Sequence, residues 1–424
     1  MFLVYRALTT LIYPFLIFFI YFRKLKKKED SLRYKEKIFP SSFNIDKKEK
    51  LKLIWFHAAS IGEFKSIIPI IEKLDGDNFQ FLITTTTLSS GNLANDKLKN
   101  FKNTSHRFLP LDVNFLINKF ISMWKPSAIF LVDSEIWPNL IHIAKKNKIP
   151  IALLNARITL KTFNRWMMFP KTAKKIFNSF NLCLTSNSET KNYLTKLSGK
   201  NIFFNGNIKF INKSPHKSEQ NLFKNSLPKI KFWLAASTHN IEEDFCLKVH
   251  LRLKESFKNI KTIIAPRHIE RIGQIKNLCE KANLSIQILS KNDQIEEDKE
   301  LIIINSFGIL DNFYEFAKSV FIGKSLVESL KGDSGQNPID AAKFGCKIYH
   351  GRYVYNFEEI YKILERNNIS KKIEEVDQLA NYIINDLRDK TNENKNLKLI
   401  EDIGTQTLSE TLKNINHYIM NEIK

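Results

Sequence analysis

Short apolar runs alternate with helix-patterned stretches along almost the whole chain, and they do so in two sets. The first set falls at 53–58, 79–85, 128–132, 151–155, 182–186 and 202–205, the second at 232–236, 262–265, 286–289, 301–304, 320–322 and 347–349. Strands that read as nearly continuous apolar runs are buried on both faces, which is how a parallel sheet covered by helices appears in a sequence. Between the sets the pattern breaks at Asn212-Lys213-Ser214-Pro215 and a polar stretch ending in Leu227-Pro228, a composition suited to a linker. A chain of 424 residues exceeds what one core usually serves. The expected fold is therefore α/β, with two doubly wound domains, 29–211 and 231–393, facing each other across a cleft. A linker at 212–230 joins them, and 394–424 reads as a helical tail that could pack back across the junction.

Residues 1–22 carry one charge, Arg6, and an apolar run from 11 to 22. Arg23-Lys24-Leu25-Lys26-Lys27-Lys28 follows at once. With 2–8 included, the segment approaches the roughly 20 residues that a bilayer core requires, so a single span and a shallow anchor both fit. An amphipathic core helix is the alternative. A cleaved signal peptide fits poorly, because the positive charge follows the apolar run and no small-residue cleavage site comes after it. Residues 1–28 are thus expected to form a membrane anchor with a basic flank that keeps the body of the protein in the cytoplasm.

The formal charge of +22 admits an anionic membrane surface, a phosphorylated substrate or nucleic acid. Basic residues are spread over the whole length instead of gathering with aromatics on one module. A lipid surface is therefore expected and a nucleic-acid partner is not. Cys183, Cys246, Cys279 and Cys346 form no C-x-x-C pair, which speaks against a disulfide framework and a zinc ribbon.

In Ile54-Trp55-Phe56-His57-Ala58-Ala59-Ser60-Ile61-Gly62-Glu63-Phe64 an apolar strand enters a small-residue turn that ends in a carboxylate. Ligands of open α/β sheets sit beyond the carboxyl ends of the strands, and residues this small let one approach the backbone. Glu63 opens the next helix, whose positive end favours an ionised carboxylate able to accept a proton. An acid that merely stabilises the first turn is the other reading. His57, Ser60 and Gly62 share the turn, and Glu135, Asn155 and Arg157 sit at two further strand ends of the same half.

The second half carries three comparable clusters. Ala235-Ala236-Ser237-Thr238-His239 offers amides and hydroxyls to an anion, or a plain helix cap. Pro266-Arg267-His268 places a guanidinium fork and an imidazole at the next strand end. Gly323-Lys324-Ser325 with Gln336-Asn337-Pro338-Ile339-Asp340 suits a nucleotide, or a turn capped by Asn337 and Asp340. No H-E-x-x-H, P-loop, G-x-S-x-G or metal-spaced Cys/His set is present, and neither a metal nor a cofactor is expected.

Taken together, His57-Ala58-Ala59-Ser60-Ile61-Gly62-Glu63, Glu135-Ile136-Trp137-Pro138-Asn139, Leu154-Asn155-Ala156-Arg157, Gly206-Asn207-Ile208-Lys209-Phe210, Pro266-Arg267-His268 and Asn337-Pro338 resemble, in order, the 3-deoxy-D-manno-octulosonic acid (Kdo) transferases of lipopolysaccharide synthesis. The resemblance implies a GT-B architecture of two Rossmann-like domains and inverting, metal-independent transfer of Kdo from CMP-Kdo to a lipid A precursor. It also implies a place on the cytoplasmic face of the inner membrane. By the same match Glu63 would be the general base, and Ser237, Thr238 and His239 would lie near the donor. Arg267 and His268 would hold its phosphate, and Asn337 with Asp340 would bind the nucleotide. Asp340 and Asp133 stand where the family usually has glutamate. Another GT-B nucleotide-sugar glycosyltransferase or a sugar-nucleotide epimerase is the alternative enzyme. A basic membrane-surface or nucleic-acid binding protein is the alternative outside enzymes.

Overall fold

The computed structural model describes residues 2–76, 78–212, 221–389 and 394–422. Part of the expected linker, 213–220, lies outside them. The chain forms two compact units, one of residues 1–212 with 403–424 and one of 213–402. In the first, β1 (Lys52–His57), β2 (Phe79–Thr85), β3 (Thr104–Phe108), β4 (Ala128–Val132), β5 (Ile151–Ala156), β6 (Leu182–Thr185) and β7 (Ile202–Phe204) form one parallel sheet. Its order is β3-β2-β1-β4-β5-β6-β7. In the second, β8 (Lys231–Thr238), β9 (Ile260–Pro266), β10 (Ile286–Leu289), β11 (Leu301–Ile304), β12 (Ser319–Ile322), β13 (Lys347–His350) and β14 (Ser370–Lys372) are likewise all parallel. The order there is β10-β11-β9-β8-β12-β13-β14. Each unit is a Rossmann-like doubly wound sheet, with the strand order reversing between β1 and β4 and between β8 and β12.

The apolar runs form strands because both faces are covered. Leu53, Ile54, Trp55 and Phe56 are fully buried, as are Ile129, Phe130, Leu131 and Val132 in the neighbouring strand. Each such side chain contributes roughly 1.5–3 kcal/mol by leaving water. The indole of Trp55 donates to Thr84 Oγ1 at 2.8 Å, and Trp233 donates to Thr262 Oγ1 at 2.7 Å, so both units pin their first two strands in the same way.

Four strands depart from expectation, one of them Ile286–Leu289, an edge strand with Ile288 exposed. The run at 202–205 is an edge strand with Phe203 and Phe204 exposed, not one covered on both faces. Thr104–Phe108 and Ser370–Lys372 form strands although neither is an apolar run. The former buries Ser105 and His106 by giving His106 Nε2 a partner in Thr85 Oγ1 at 2.9 Å. The latter is an edge strand, where polar side chains reach solvent.

The N-terminal helix Phe2–Leu25 is long and apolar enough to cross a membrane. It nevertheless lies along the first unit, fastened through one stripe of its surface. Tyr5 donates to Asp112 Oδ2 at 2.9 Å, Thr9 Oγ1 accepts from Asn139 Nδ2 at 3.2 Å, and Tyr13 donates to the Ile38 carbonyl. Farther along, Ile17 and Ile20 pack with Tyr34 and Ile38, and Arg23 Nε meets Glu29 at 2.6 Å. Positions 5, 9, 13, 17 and 20 share one helical face. The opposite face presents Leu11, Phe15 and Phe18, each 73% exposed. The final helix, Asn394–Glu422, begins in the second unit and ends in the core of the first, where Ile415, Tyr418 and Ile419 are buried.

Candidate active site

In an open α/β sheet the crevice for a ligand forms where the strand order reverses, beyond the carboxyl ends of the two strands that flank the switch. In the first unit those ends belong to β1 and β4, and they carry the turn leading to Glu63 and the segment from Asp133 to Trp137. Ser60 is the N-cap of the helix Ile61–Leu74, its Oγ accepting from the Glu63 amide at 3.4 Å and donating to Glu63 Oε1 at 2.8 Å. The Ala59 amide donates to Oε2 at 2.8 Å. The carboxylate is therefore oriented by two donors at the positive end of a helix. Burial, followed by the Asp133 carboxylate and more weakly by that of Glu135, pushes its pKa up to about 6 against the two hydrogen bonds that favour the charge. A Cβ placed on Gly62 would meet open space, so the fold's own packing does not require glycine at this exposed position.

Around Glu63 stands a shell of fixed polar groups. Fully buried His57 contacts Thr84 Oγ1 through Nδ1 at 2.9 Å and Glu135 Oε2 through Nε2 at 3.2 Å. Trp137 Nε1 donates to the same Oε2 at 2.7 Å. Asp133, at φ 59°, bonds to Lys209 Nζ at 2.7 Å and to the amide of Asn155. Asn155 also accepts from the Ile208 amide at 3.0 Å and is buried, so it ties β5 to the 206–210 segment. Arg157 is half-buried beside it, its carbonyl accepting from Ser134 Oγ at 2.7 Å.

The switch point of the second unit, between β8 and β12, joins Ser237, Thr238 and His239 to the Gly323–Leu326 turn. Here the polar groups divide. Arg267 and His268 are exposed, His268 packs edge-on to His239 at 5.4 Å, and His239 Nε2 is buried without a hydrogen bond among the described residues. Burial, and then the cationic neighbours Lys324, His268, Arg271 and Arg267, lower the His239 pKa to about 4. His239 is therefore a neutral ring among cationic neighbours. Ile241, β-branched, 67% exposed and at φ 82°, holds a strained backbone in the same loop.

The glycine-rich turn is occupied from within. Fully buried Glu242 accepts from the amides of Lys324 at 2.7 Å, Ser325 at 2.8 Å, Leu326 at 3.0 Å and His239 at 2.9 Å. Gly323 is needed because a Cβ there would lie 2.5 Å from the Ser237 carbonyl and 2.8 Å from Glu242 Oε2. Ser325 is buried, donating to the Ile322 carbonyl at 2.7 Å and accepting from the Gly351 amide at 2.9 Å. Gly323 and Ser325 thus build the loop, and their amides and hydroxyl are not open to a phosphate as the sequence suggested. Thr238 is likewise buried, its hydroxyl donating to Glu243 Oε1 at 3.0 Å, while Arg271 grips the same carboxylate bidentately at 2.9 and 3.1 Å. Ser237, at φ 57°, is half-buried. Asn337 Oδ1 accepts from the Ile339 amide at 3.1 Å just ahead of the short helix Ile339–Lys343, and Asp340 is exposed.

Glu242, Glu243 and Arg271 were missed as working residues. Their signal was present in the spacing His239-x-x-Glu242, which repeats Ser60-x-x-Glu63 at the equivalent strand end, with three acids in the following first turn.

The 3-Deoxy-D-manno-octulosonic-acid transferase (kdotransferase) family model matches residues 32–212. A 3-deoxy-D-manno-octulosonic acid transferase of Rickettsia prowazekii is 30% identical over 87% of this chain and 80% of its own length. The chain belongs to the Kdo transferase family. The family's enzyme from Haemophilus influenzae is also 30% identical, over 73% of each chain. Among solved structures, a UDP-N-acetylglucosamine 2-epimerase aligns over 87% of this chain and 97% of its own with a TM-score of 0.58. At 14% identity that likeness shows the two-domain fold alone. As a Kdo transferase the chain is a glycosyltransferase, and the family match spans the whole Glu63 site.

Proposed function

We propose that this chain transfers Kdo from CMP-Kdo to a lipid A precursor, with Glu63 as the general base. The observation that carries the reading is the Glu63 carboxylate, oriented by Ser60 and Ala59 and titrating at about 6 beside Asp133 and Glu135. A base with that pKa is largely ionised at neutral pH and still a competent proton acceptor. Glu63 takes the proton of the acceptor sugar hydroxyl as its oxygen attacks the anomeric carbon of Kdo. The bond from that carbon to the phosphate oxygen breaks on the opposite face, inverting the centre, and its electron pair leaves with CMP. Exposed Arg267 and His268, together with the unsatisfied His239, supply cationic and donor groups for the departing phosphate. Asn337 and Asp340 are assigned to the nucleotide, and Ser237 to the donor's surroundings.

Membership of the Kdo transferase family supports the substrates. The exposed face of the helix Phe2–Leu25 and the basic run after it support attachment to the cytoplasmic face of the inner membrane, where the acceptor is embedded. Incubating purified protein with CMP-Kdo and a tetraacylated lipid A precursor, and weighing the lipid product, tests the assignment. The wild type adds the mass of Kdo and Glu63→Gln, folded by circular dichroism, adds none. Undiminished turnover by Glu63→Gln removes the glutamate from the mechanism.

A further inference from the structure

At the amino end of the first helix, a cavity of about 450 Å³ opens between that helix, the helix Pro138–Lys146 and the helix Pro170–Phe177. Phe2, Leu3, Ile141 and Ile176 give it apolar walls. Four permanent cations, Arg6, Lys145, Lys171 and Lys175, converge on it from all three helices, with His142 among them. None of the four has a carboxylate partner among the described residues. Lys175 instead sits over the Phe2 ring at 5.8 Å, and Phe2 packs on His142 at 4.5 Å. Four like charges gathered over apolar surface repel one another unless an anion joins them.

The occupant's chemistry follows from what adjoins the cavity. Leu3 on its rim is 74% exposed and continues into the outward face of the helix, with Leu8, Leu11, Phe15 and Phe18 beyond it. We infer that the cavity seats the phosphate of an anionic glycerophospholipid, whose acyl chains lie along that exposed face. The helix is fastened to the unit at Tyr5, Thr9 and Tyr13, so it can enter the membrane only in the plane of the interface. That brings the cavity to headgroup depth. Pro138 on its wall directly follows Trp137, whose indole holds Glu135, so a lipid seated there also bears on the flank of the acceptor site. The inference does not rest on the identity of the sugar donor.

The test is a thermal melt of the full chain in neutral detergent with dihexanoyl-phosphatidylglycerol, dihexanoyl-phosphatidylcholine or inorganic phosphate, each below micelle-forming concentration. Only phosphatidylglycerol is expected to raise Tm, and Arg6→Gln/Lys171→Gln/Lys175→Gln is expected to bind it at least tenfold more weakly. Lys26→Gln/Lys27→Gln/Lys28→Gln, in the basic flank, is expected to keep the shift. Should the Arg6 change disturb folding, Lys171→Gln/Lys175→Gln alters only exposed side chains and is expected to show the same weakening. Equal shifts with phosphatidylcholine or with inorganic phosphate, or an undiminished shift in the pocket variants, overturn the inference.

Discussion

His57 Nε2 lies 3.2 Å from Glu135 Oε2, and Trp137 Nε1 reaches the same oxygen at 2.7 Å, so one carboxylate oxygen is held by two ring donors. Because a carboxylate only accepts, His57 Nε2 carries the hydrogen, and Nδ1 is left to face the Thr84 hydroxyl that Trp55 already supports. The chain of contacts from Trp55 to Glu135 fixes a negative charge beside Glu63. Glu135→Gln preserves both donors' acceptor in its carbonyl oxygen while deleting that charge. It is expected to melt like the wild type and to move the ascending limb of the pH–rate profile toward acid, since one cause of the raised Glu63 pKa is gone.

In the wild type that limb itself is expected near pH 6, read from kcat/KM for Kdo transfer, because the proposed base, Glu63, would work only when ionised. Stability runs the other way. The folded-state pKa lies above the usual carboxylate value of 4.5, so the folded state binds this proton more tightly than the unfolded chain does. Glu63 therefore costs no stability below about pH 4.5 and imposes its full penalty of about 2 kcal/mol above pH 6. The carboxylate is ready for chemistry at the pH where it is least welcome to the fold.

Glu242→Ala would strand four backbone amides that now share one buried carboxylate. The expected loss is at least about 3 kcal/mol in urea unfolding. Formate at tens of millimolar is expected to restore part of it by entering the vacated space. Loss of CMP-induced thermal stabilisation should accompany the change, because the turn that Glu242 shapes adjoins His239. An unaltered urea midpoint would show that the turn holds without its acid.

Reporters fused to Met1 and to Lys424 are expected to lie on the same side of the membrane in cells. A spanning helix would put them on opposite sides. Asp112 accepts from Tyr5 and from the Asn139 and Leu140 amides, so Asp112→Ala is expected to free the start of the first helix and raise its cleavage by protease in vitro.

Much of this architecture is legible in the sequence because buried parallel strands can be built from little except apolar residues. The interior runs, from Leu53–Phe56 to Ile348–Tyr349, announce themselves that way, whereas Ile202–Phe204 and Ile286–Leu289 are apolar edge strands with one face exposed. Ser105, His106 and Arg107 do not, since their place in a strand depends on partners such as Thr85 and the Asn44 carbonyl that only the fold supplies. The oriented carboxylate is readable because its parts are local: Ser60 and Glu63 lie within one turn. The loop at Gly323 is misleading for the opposite reason. A glycine turn that cradles a phosphate and one that cradles a carboxylate from a distant helix have the same sequence, and Glu242 stands 82 residues from Lys324.

The fastening of the first helix along the domain has a consequence for traffic. If that helix lies in one leaflet, as proposed, the enzyme collects its lipid from that leaflet and returns it to the same one, and carrying the finished glycolipid across the bilayer needs a separate step.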